Sequence, residues 1–324
     1  MVADPIPPWP GELVSLSVGD VFVREAPAPP DAEPAVLVHG LGGSSRNWTD
    51  LMALLSQPAA HGDAPVLASE ALDLPGFGYS PVPADADYSM EARAAAVIAL
   101  IDQGGRWPVH LVGNSLGGAI CTRVAARRPD LVRTLTLISP ALPDLRPRLL
   151  PLQVASLMVP GFGRRALARL EAQPAANRTA GTIRQVYADP AQIHPDRVRE
   201  EVAEVIRRDG LGYQMDVLLG TARGLVTEYL RRGPKALWRD AARVTAPTLV
   251  IHGSHDRLVN PAMAARAAKT FRSAQAVVLP RVGHVAMMER PDLVARIMRE
   301  FLVSADSGRA DSGRPAGELN QVPR

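Results

Sequence analysis

Gly113-Asn114-Ser115-Leu116-Gly117 is a G-x-S-x-G pentapeptide. It follows the apolar run Val109-His110-Leu111-Val112 and leads straight into Gly118-Ala119-Ile120-Cys121-Thr122-Arg123-Val124-Ala125-Ala126, a small-residue, helix-compatible segment. Strand, glycine-flanked serine and helix in that order are what a nucleophile elbow requires. The turn is so sharp that a larger side chain at 113 or 117 would clash. It lifts the Ser115 hydroxyl off the sheet edge and points the Leu116 N–H at the reacting carbon. A bare G-x-S-x-G also describes an ordinary glycine-rich turn, so its weight depends on what the rest of the chain supplies.

Outward from the pentapeptide, short apolar runs alternate with helical periodicity. Runs at 13–18, 21–24, 35–38, 66–72, 109–112, 134–138, 248–251 and 276–279 predict eight strands, and segments at 47–55, 90–102, 116–127, 261–271 and 291–302 predict helices. Only Gly19-Asp20 separates the first two strands, which suits a hairpin. The remaining alternation demands a mostly parallel α/β sheet with helices on both faces. Between Pro140 and Ala246 no convincing strand occurs; helical pieces at 149–159, 163–171, 179–188, 196–208, 213–229 and 234–241 predict a helical cap inserted after strand 6. The expected organisation is an extended proline-rich arm over 1–10, an α/β core over 11–140 and 246–303, the cap over 141–245, and a disordered tail over 304–324, rich in Ser, Gly, Asp, Arg and Pro.

A serine hydroxyl is a poor nucleophile at neutral pH and needs a base held by an orienting carboxylate. In open α/β sheets such groups gather at the carboxyl ends of strands. Asp256, in His252-Gly253-Ser254-His255-Asp256-Arg257-Leu258-Val259, follows the seventh strand, and His284, after Gly283, follows the eighth. Ser115, Asp256 and His284 thus stand in the chain order Ser, Asp, His that this architecture uses. Each alone is an ordinary turn or loop residue; together they read as catalytic. His255 is the weaker choice of base, His110 reads as core, His252 as strand-end packing, and His61 and His194 as polar-loop residues. An oxyanion hole needs two backbone donors: Leu116 N–H is one, and the glycine-rich loop His39-Gly40-Leu41-Gly42-Gly43 after the third strand offers Leu41 N–H as the other. That loop lacks both G-K-[ST] and G-x-G-x-x-G, which argues against a phosphate cradle. No His/Cys/Asp/Glu grouping has metal-ligand spacing, so no metal is expected.

Composition bounds the partners. The 324 residues are 47% hydrophobic, enough for a substantial core, and the net charge is only +3. All but Lys235 and Lys269 of the 36 basic residues are arginine, without a basic run of the kind that binds nucleic acid. Cys121 is the only cysteine, which excludes an intrachain disulfide. No apolar run reaches the ~20 residues of a membrane span, and the N-terminus lacks the charged and apolar regions of a secretory signal. A cytoplasmic enzyme is the expectation. The apolar start of the cap, 149–160, is a candidate acyl-tunnel lining or a weak lipid-interface contact; packing on the cap itself is the plainer alternative.

Taken together these motifs resemble the α/β-hydrolase superfamily over residues 13–302. The resemblance rests on the loop at 39–43, Asp73-Leu74-Pro75-Gly76-Phe77-Gly78-Tyr79-Ser80, the elbow, the segment His255-Asp256-Arg257-Leu258-Val259, and Gly283-His284 with Met288-Glu289-Arg290-Pro291. It is similar above all to the capped serine hydrolases: carboxylesterases, monoacylglycerol-lipase-like enzymes and carbon–carbon bond hydrolases. The resemblance implies Ser115 as nucleophile, His284 as base then acid, Asp256 as orienter, and Leu41 and Leu116 at the oxyanion hole. Asp73 resembles a structural turn residue. Some relatives carry the acid after the sixth strand, which keeps Asp144 as an alternative. Serine at the elbow argues against the epoxide hydrolases and haloalkane dehalogenases, which use aspartate there. The implied activity is hydrolysis of a small-molecule ester with an apolar acyl group and no cofactor. Carbon–carbon bond or lactone hydrolysis on the same residues, or a non-catalytic ligand-binding homologue, are the alternatives.

Overall fold

The structure, a computed structural model, describes residues 5–58, 64–144, 161–233 and 236–312. Eight strands form one sheet: β1 (Gly11–Leu16), β2 (Gly19–Glu25), β3 (Glu33–Val38), β4 (Leu67–Leu72), β5 (Val109–Asn114), β6 (Val132–Ile138), β7 (Thr248–Gly253) and β8 (Ala274–Leu279). Their order is β1-β2-β4-β3-β5-β6-β7-β8, with β2 antiparallel to both its neighbours and every other pair parallel. The β1–β2 register pairs Leu16 with Gly19, so the turn is Ser17-Val18 rather than the expected Gly19-Asp20. Gly19 instead opens β2 with a φ of 113°, a conformation that glycine adopts at little steric cost.

Side-chain alternation along the central strands feeds two cores. Val36 and Val38 of β3 face one cluster, while Ala35 and Leu37 face the other; Val250 of β7 opposes Leu249 and Ile251 in the same way. The first cluster is covered by α2 (Met90–Gly104), α3 (Leu116–Arg127), α8 (Leu237–Arg243) and α9 (Met263–Thr270). The second is covered by α1 (Thr49–Leu55), the short α10 (Ala286–Glu289) and α11 (Pro291–Ser312). With both faces buried, the central strands are mostly apolar on both faces, as is usual for buried parallel strands, with polar exceptions such as His110 and Thr134.

Between β6 and β7 lie the cap helices α4 (Phe162–Glu171), α5 (Ala175–Val186), α6 (Pro195–Asp209) and α7 (Gln214–Leu230). The helix expected at 149–159, with its apolar surface, falls outside the described residues. Helix α8, counted with the cap by sequence pattern, buries Leu237 and Ala241 in the core cluster that holds Ile120 and Val124 of α3. Helix α11 continues to Ser312, beyond the 304 at which a disordered tail is expected to begin. Among the described residues no helix is long and apolar enough to cross a membrane.

Strand order reverses between β3 and β5: the chain passes from β3 to β4 on one side, then returns to place β5 on the other. Loops leaving the carboxyl ends of β3 and β5 therefore diverge and open a crevice, where open α/β sheets hold their sites.

Candidate active site

Ser115 leaves β5 with φ 52° and ψ −115°, a strained backbone for a non-glycine residue. Neighbouring hydrogen bonds hold it there: Ser115 N donates to Ile138 O (3.0 Å), and Ser115 O accepts from Ala119 N (3.2 Å) and Ala141 N (2.9 Å). The flanking glycines are sterically required. A Cβ on Gly117 would stand 2.1 Å from Val38 O, and one on Gly113 would stand 2.6 Å from Gly117 C. Leu116 opens α3, so its amide is among the helix N–H groups that have no intrahelical acceptor.

The loop after β3 is fixed from two sides. Gly40 O accepts from Gly43 N (3.1 Å) and from the His39 ring at Nδ1 (2.7 Å). Because a trans peptide sets C=O and N–H on opposite sides, this leaves Leu41 N–H facing away from those donors. His39 Nε2 accepts from Leu74 N at 2.9 Å, so the ring is neutral with its proton on Nδ1. Burial pushes its pKa down to about 3, against the bond to Gly40 O, which favours the charged form. Asp73 completes the frame, accepting from Ser45 N (2.6 Å) and Tyr79 N (2.8 Å).

His284 Nδ1 and Asp256 Oδ2 are 2.8 Å apart, with both residues buried. Burial alone would lift the Asp256 carboxyl. The His284 charge and hydrogen bond, with the amides of Val259 (2.9 Å) and Leu258 (2.8 Å), outweigh it and bring the pKa below the ordinary carboxylate value. Ser115, His284, Leu41 and Asp144 line one cavity of about 1810 Å³ between the sheet and the cap, and Asp256 sits behind His284. Leu116, the residue after Ser115, is buried and its side chain does not line the cavity. The ring of His284 is bonded to Asp256; Asp144 lies on the cavity wall.

The sequence does not reveal how the His284 loop is held. Asn114 Nδ2 donates to His284 O (3.2 Å) and to Ile138 O (3.0 Å), tying the loop to the residue beside Ser115. His284 N donates to Val186 O of α5 at 2.7 Å. Glu289 accepts from Gly283 N (2.6 Å) and from Ala188 N (2.9 Å), so core and cap share one carboxylate. A Cβ at Gly283 would lie 2.5 Å from Val186 O, which explains the glycine before His284. Glu289 lies within a family-like motif, the only signal that marked it.

None of the other described histidines is hydrogen-bonded to Ser115, Asp256 or His284, although His194 and His255 line the same cavity. His110 bridges Thr134 Oγ1 (2.8 Å) and Glu33 (2.7 Å) within the sheet. His255 contacts Ser254 Oγ, and His194 caps α6. His61 lies outside the described residues. His252 is fully buried and neither ring nitrogen has a hydrogen-bond partner among the described residues; burial pushes its pKa down to about 4.

Residues 34–291 match the family profile of the alpha/beta hydrolase fold. The chain is 27% identical over 296 residues to "Lipase 1" of Psychrobacter immobilis, covering 89% of this chain and 82% of that one. It is also 27% identical over 282 residues to a 2-hydroxymuconate semialdehyde hydrolase of Pseudomonas sp. (strain CF600), covering 85% and 88%. Among solved structures, one described as a candidate lipase from Acinetobacter baumannii AYE superposes with a TM-score of 0.76 at 20% identity, covering 94% of this chain and 99% of that one, and shows the same fold.

Proposed function

The chain belongs to the α/β-hydrolase fold family, and on that footing we propose that it is a serine hydrolase that cleaves carboxylic esters. The observation that carries the reading is the buried 2.8 Å contact between His284 and Asp256 beside a cavity that Ser115 also lines. In this mechanism Ser115 Oγ attacks the ester carbonyl as its proton passes to His284 Nε2. Asp256 holds the ring by its Nδ1–H and stabilises the imidazolium. The tetrahedral oxyanion is met by Leu41 and Leu116 N–H, each donor of this kind contributing about 3 kcal/mol. Collapse expels the alkoxide, which takes the proton from His284 and leaves as alcohol. Water then gives a proton to His284 and attacks the acyl-enzyme; collapse of the second intermediate releases the acid and returns the proton to Ser115. Every proton is accounted for without a cofactor.

The helices between β6 and β7 act in this reading as the cap that selects the acyl and alcohol groups. Similarity to the lipase of Psychrobacter immobilis supports the ester assignment. A second reading, carbon–carbon bond hydrolysis on the same residues, is supported by the equal identity to the 2-hydroxymuconate semialdehyde hydrolase. The test is hydrolysis of p-nitrophenyl esters from acetate to palmitate, with Ser115→Ala as control. Turnover that Ser115→Ala abolishes supports the esterase. Absence of turnover on every ester, with turnover of a vinylogous diketone, would replace it with the second reading.

A further inference from the structure

The cavity has two unlike walls. Leu218 and Leu225 of α7, Trp238 of α8 and Val259 make one side apolar. The α6 side is charged: Glu201, Glu204 and Arg208 recur at helical spacing and all line the cavity, with Val205 between them. Nearly all of this charge is internally matched. Glu204 pairs with Arg207 (2.7 Å) and Arg46 (3.7 Å), Glu200 with Arg197 (2.9 Å) and Arg46 (3.5 Å), and Asp50 with Arg197.

Glu201 is the exception. Among the described residues its carboxyl accepts no hydrogen bond and has no arginine within ion-pair distance, yet it is only partly exposed and opens into the cavity. Burial raises its pKa; Arg46 and Arg208 lie near enough to pull it back, and Glu204 and Glu200 push it further up. Glu201 in turn is the largest charge effect raising the pKa of Tyr187, another cavity residue, after burial itself. A carboxylate that opens into the cavity with no protein partner among the described residues has its acceptor capacity free for a donor on a bound ligand.

Arg208 fixes where this group stands. Its Nη1 donates to Gly42 O at 2.8 Å, which anchors α6 to the loop that carries Leu41. Glu201 lies two helical turns earlier, about 10 Å along the axis. Ser115 and Glu201 line the same cavity, so a substrate whose carbonyl rests at Ser115 would meet Glu201 with a group remote from that carbonyl.

We propose that Glu201 is a specificity-determining residue that holds a hydrogen-bond-donating, non-anionic end of the substrate, an ammonium or a hydroxyl, and disfavours substrates bearing a carboxylate there. The inference deepens the esterase reading and rests on it for the word substrate, but binding alone tests it. The probes are octylammonium, 1-octanol and octanoate, each below its micellar concentration, titrated calorimetrically into the Ser115→Ala protein. Octylammonium should bind at least about tenfold more tightly than octanoate, with octanol between them, since like charges facing each other in a cavity are strongly disfavoured. The near-isosteric Glu201→Gln should bring the ammonium and carboxylate affinities to within about threefold of each other, and Glu201→Arg should invert the order. Ratios within one protein cancel any shared loss of folded material. Equal affinities in the Ser115→Ala protein, or a ratio that Glu201→Arg leaves unchanged, would overturn the proposal. Ammonium tighter than octanol, with the difference lost in Glu201→Gln, would support the proposal, and octanol tighter than ammonium in the Ser115→Ala protein would count against it. Failure of the p-nitrophenyl ester series would count against the esterase reading and leave these affinities as they are.

Discussion

The β5–α3 unit and the cap helix α6 are built on opposite plans. All of β5 is buried, and ten of the twelve residues of α3 are buried, against one of fifteen in α6. In the first unit, close packing that is mostly apolar, apart from the buried Arg123 ion pairs and His110, leaves the backbone no alternative path, and Ser115 keeps a strained φ because its neighbours over-determine it. In the second, the buried residue is itself a carboxylate, and the helix is held through arginine pairs that reach α1 and the loop after β3. On the proposed reading the contrast is a division of labour: the sheet side fixes where the reaction happens, while the cap side fixes what is admitted.

The sharpest way to break this contrast is on the buried pair. Asp256→Asn should lower kcat for a p-nitrophenyl ester by on the order of 10²–10⁴-fold with little change in KM, measured by steady-state kinetics. Removing a wall residue of α6 should act mainly on the choice of substrate. Next comes Gly117→Ala. Its Cβ would meet Val38 O at 2.1 Å and also stand against His39 O at 2.6 Å, backbone atoms that cannot turn aside. A loss of about 3 kcal/mol or more in urea unfolding is expected, enough to threaten folding.

Two buried neutral histidines extend the comparison to pH. His39 and His252 are held at about 3 and about 4 by burial, below the ordinary 6.5. Between these values and 6.5 the unfolded chain binds protons that the folded chain refuses. Their contribution is therefore fully present above pH 6.5 and is lost as pH falls towards 4 and then 3, on the order of a few kcal/mol in all. Urea midpoints should drop steadily from pH 7 to pH 4.5. His252→Phe should flatten that slope with little loss at pH 7, because its nitrogens leave no partner stranded. The smallest effect belongs to a single ion pair of the cap, where the cavity meets solvent at Asp209. Arg178→Gln removes a pair with the largely exposed Asp209, and should shift stability by about 1 kcal/mol or less, read by the same titration in low and high salt.

The same contrast explains what could be read from the sequence. Short, nearly continuous apolar runs mark β3, β5 and β7, which are buried on both faces, so their positions follow from pattern alone. The tight glycines at 113 and 117 exist because backbone atoms occupy the space a side chain would take. The β1–β2 turn was displaced because Gly19 looked like a turn residue, whereas its positive φ is used at the strand start. Asn114, Glu289 and His39 were not legible as anchors. Their partners, His284 O, Ala188 N and Leu74 N, lie 170, 101 and 35 residues away. The pairing of Arg46 with Glu200 and Glu204 was equally hidden, since charge spacing along one helix does not reveal which distant element will face it.

The most direct test is fluorophosphonate labelling followed by peptide mass spectrometry, comparing the unaltered chain with Asp256→Asn. A single adduct on Ser115, forming at least about 100-fold more slowly in Asp256→Asn, is the predicted result. An adduct on another residue, none on Ser115, or equal rates in the two proteins would contradict the assignment of Ser115, His284 and Asp256 as one working unit.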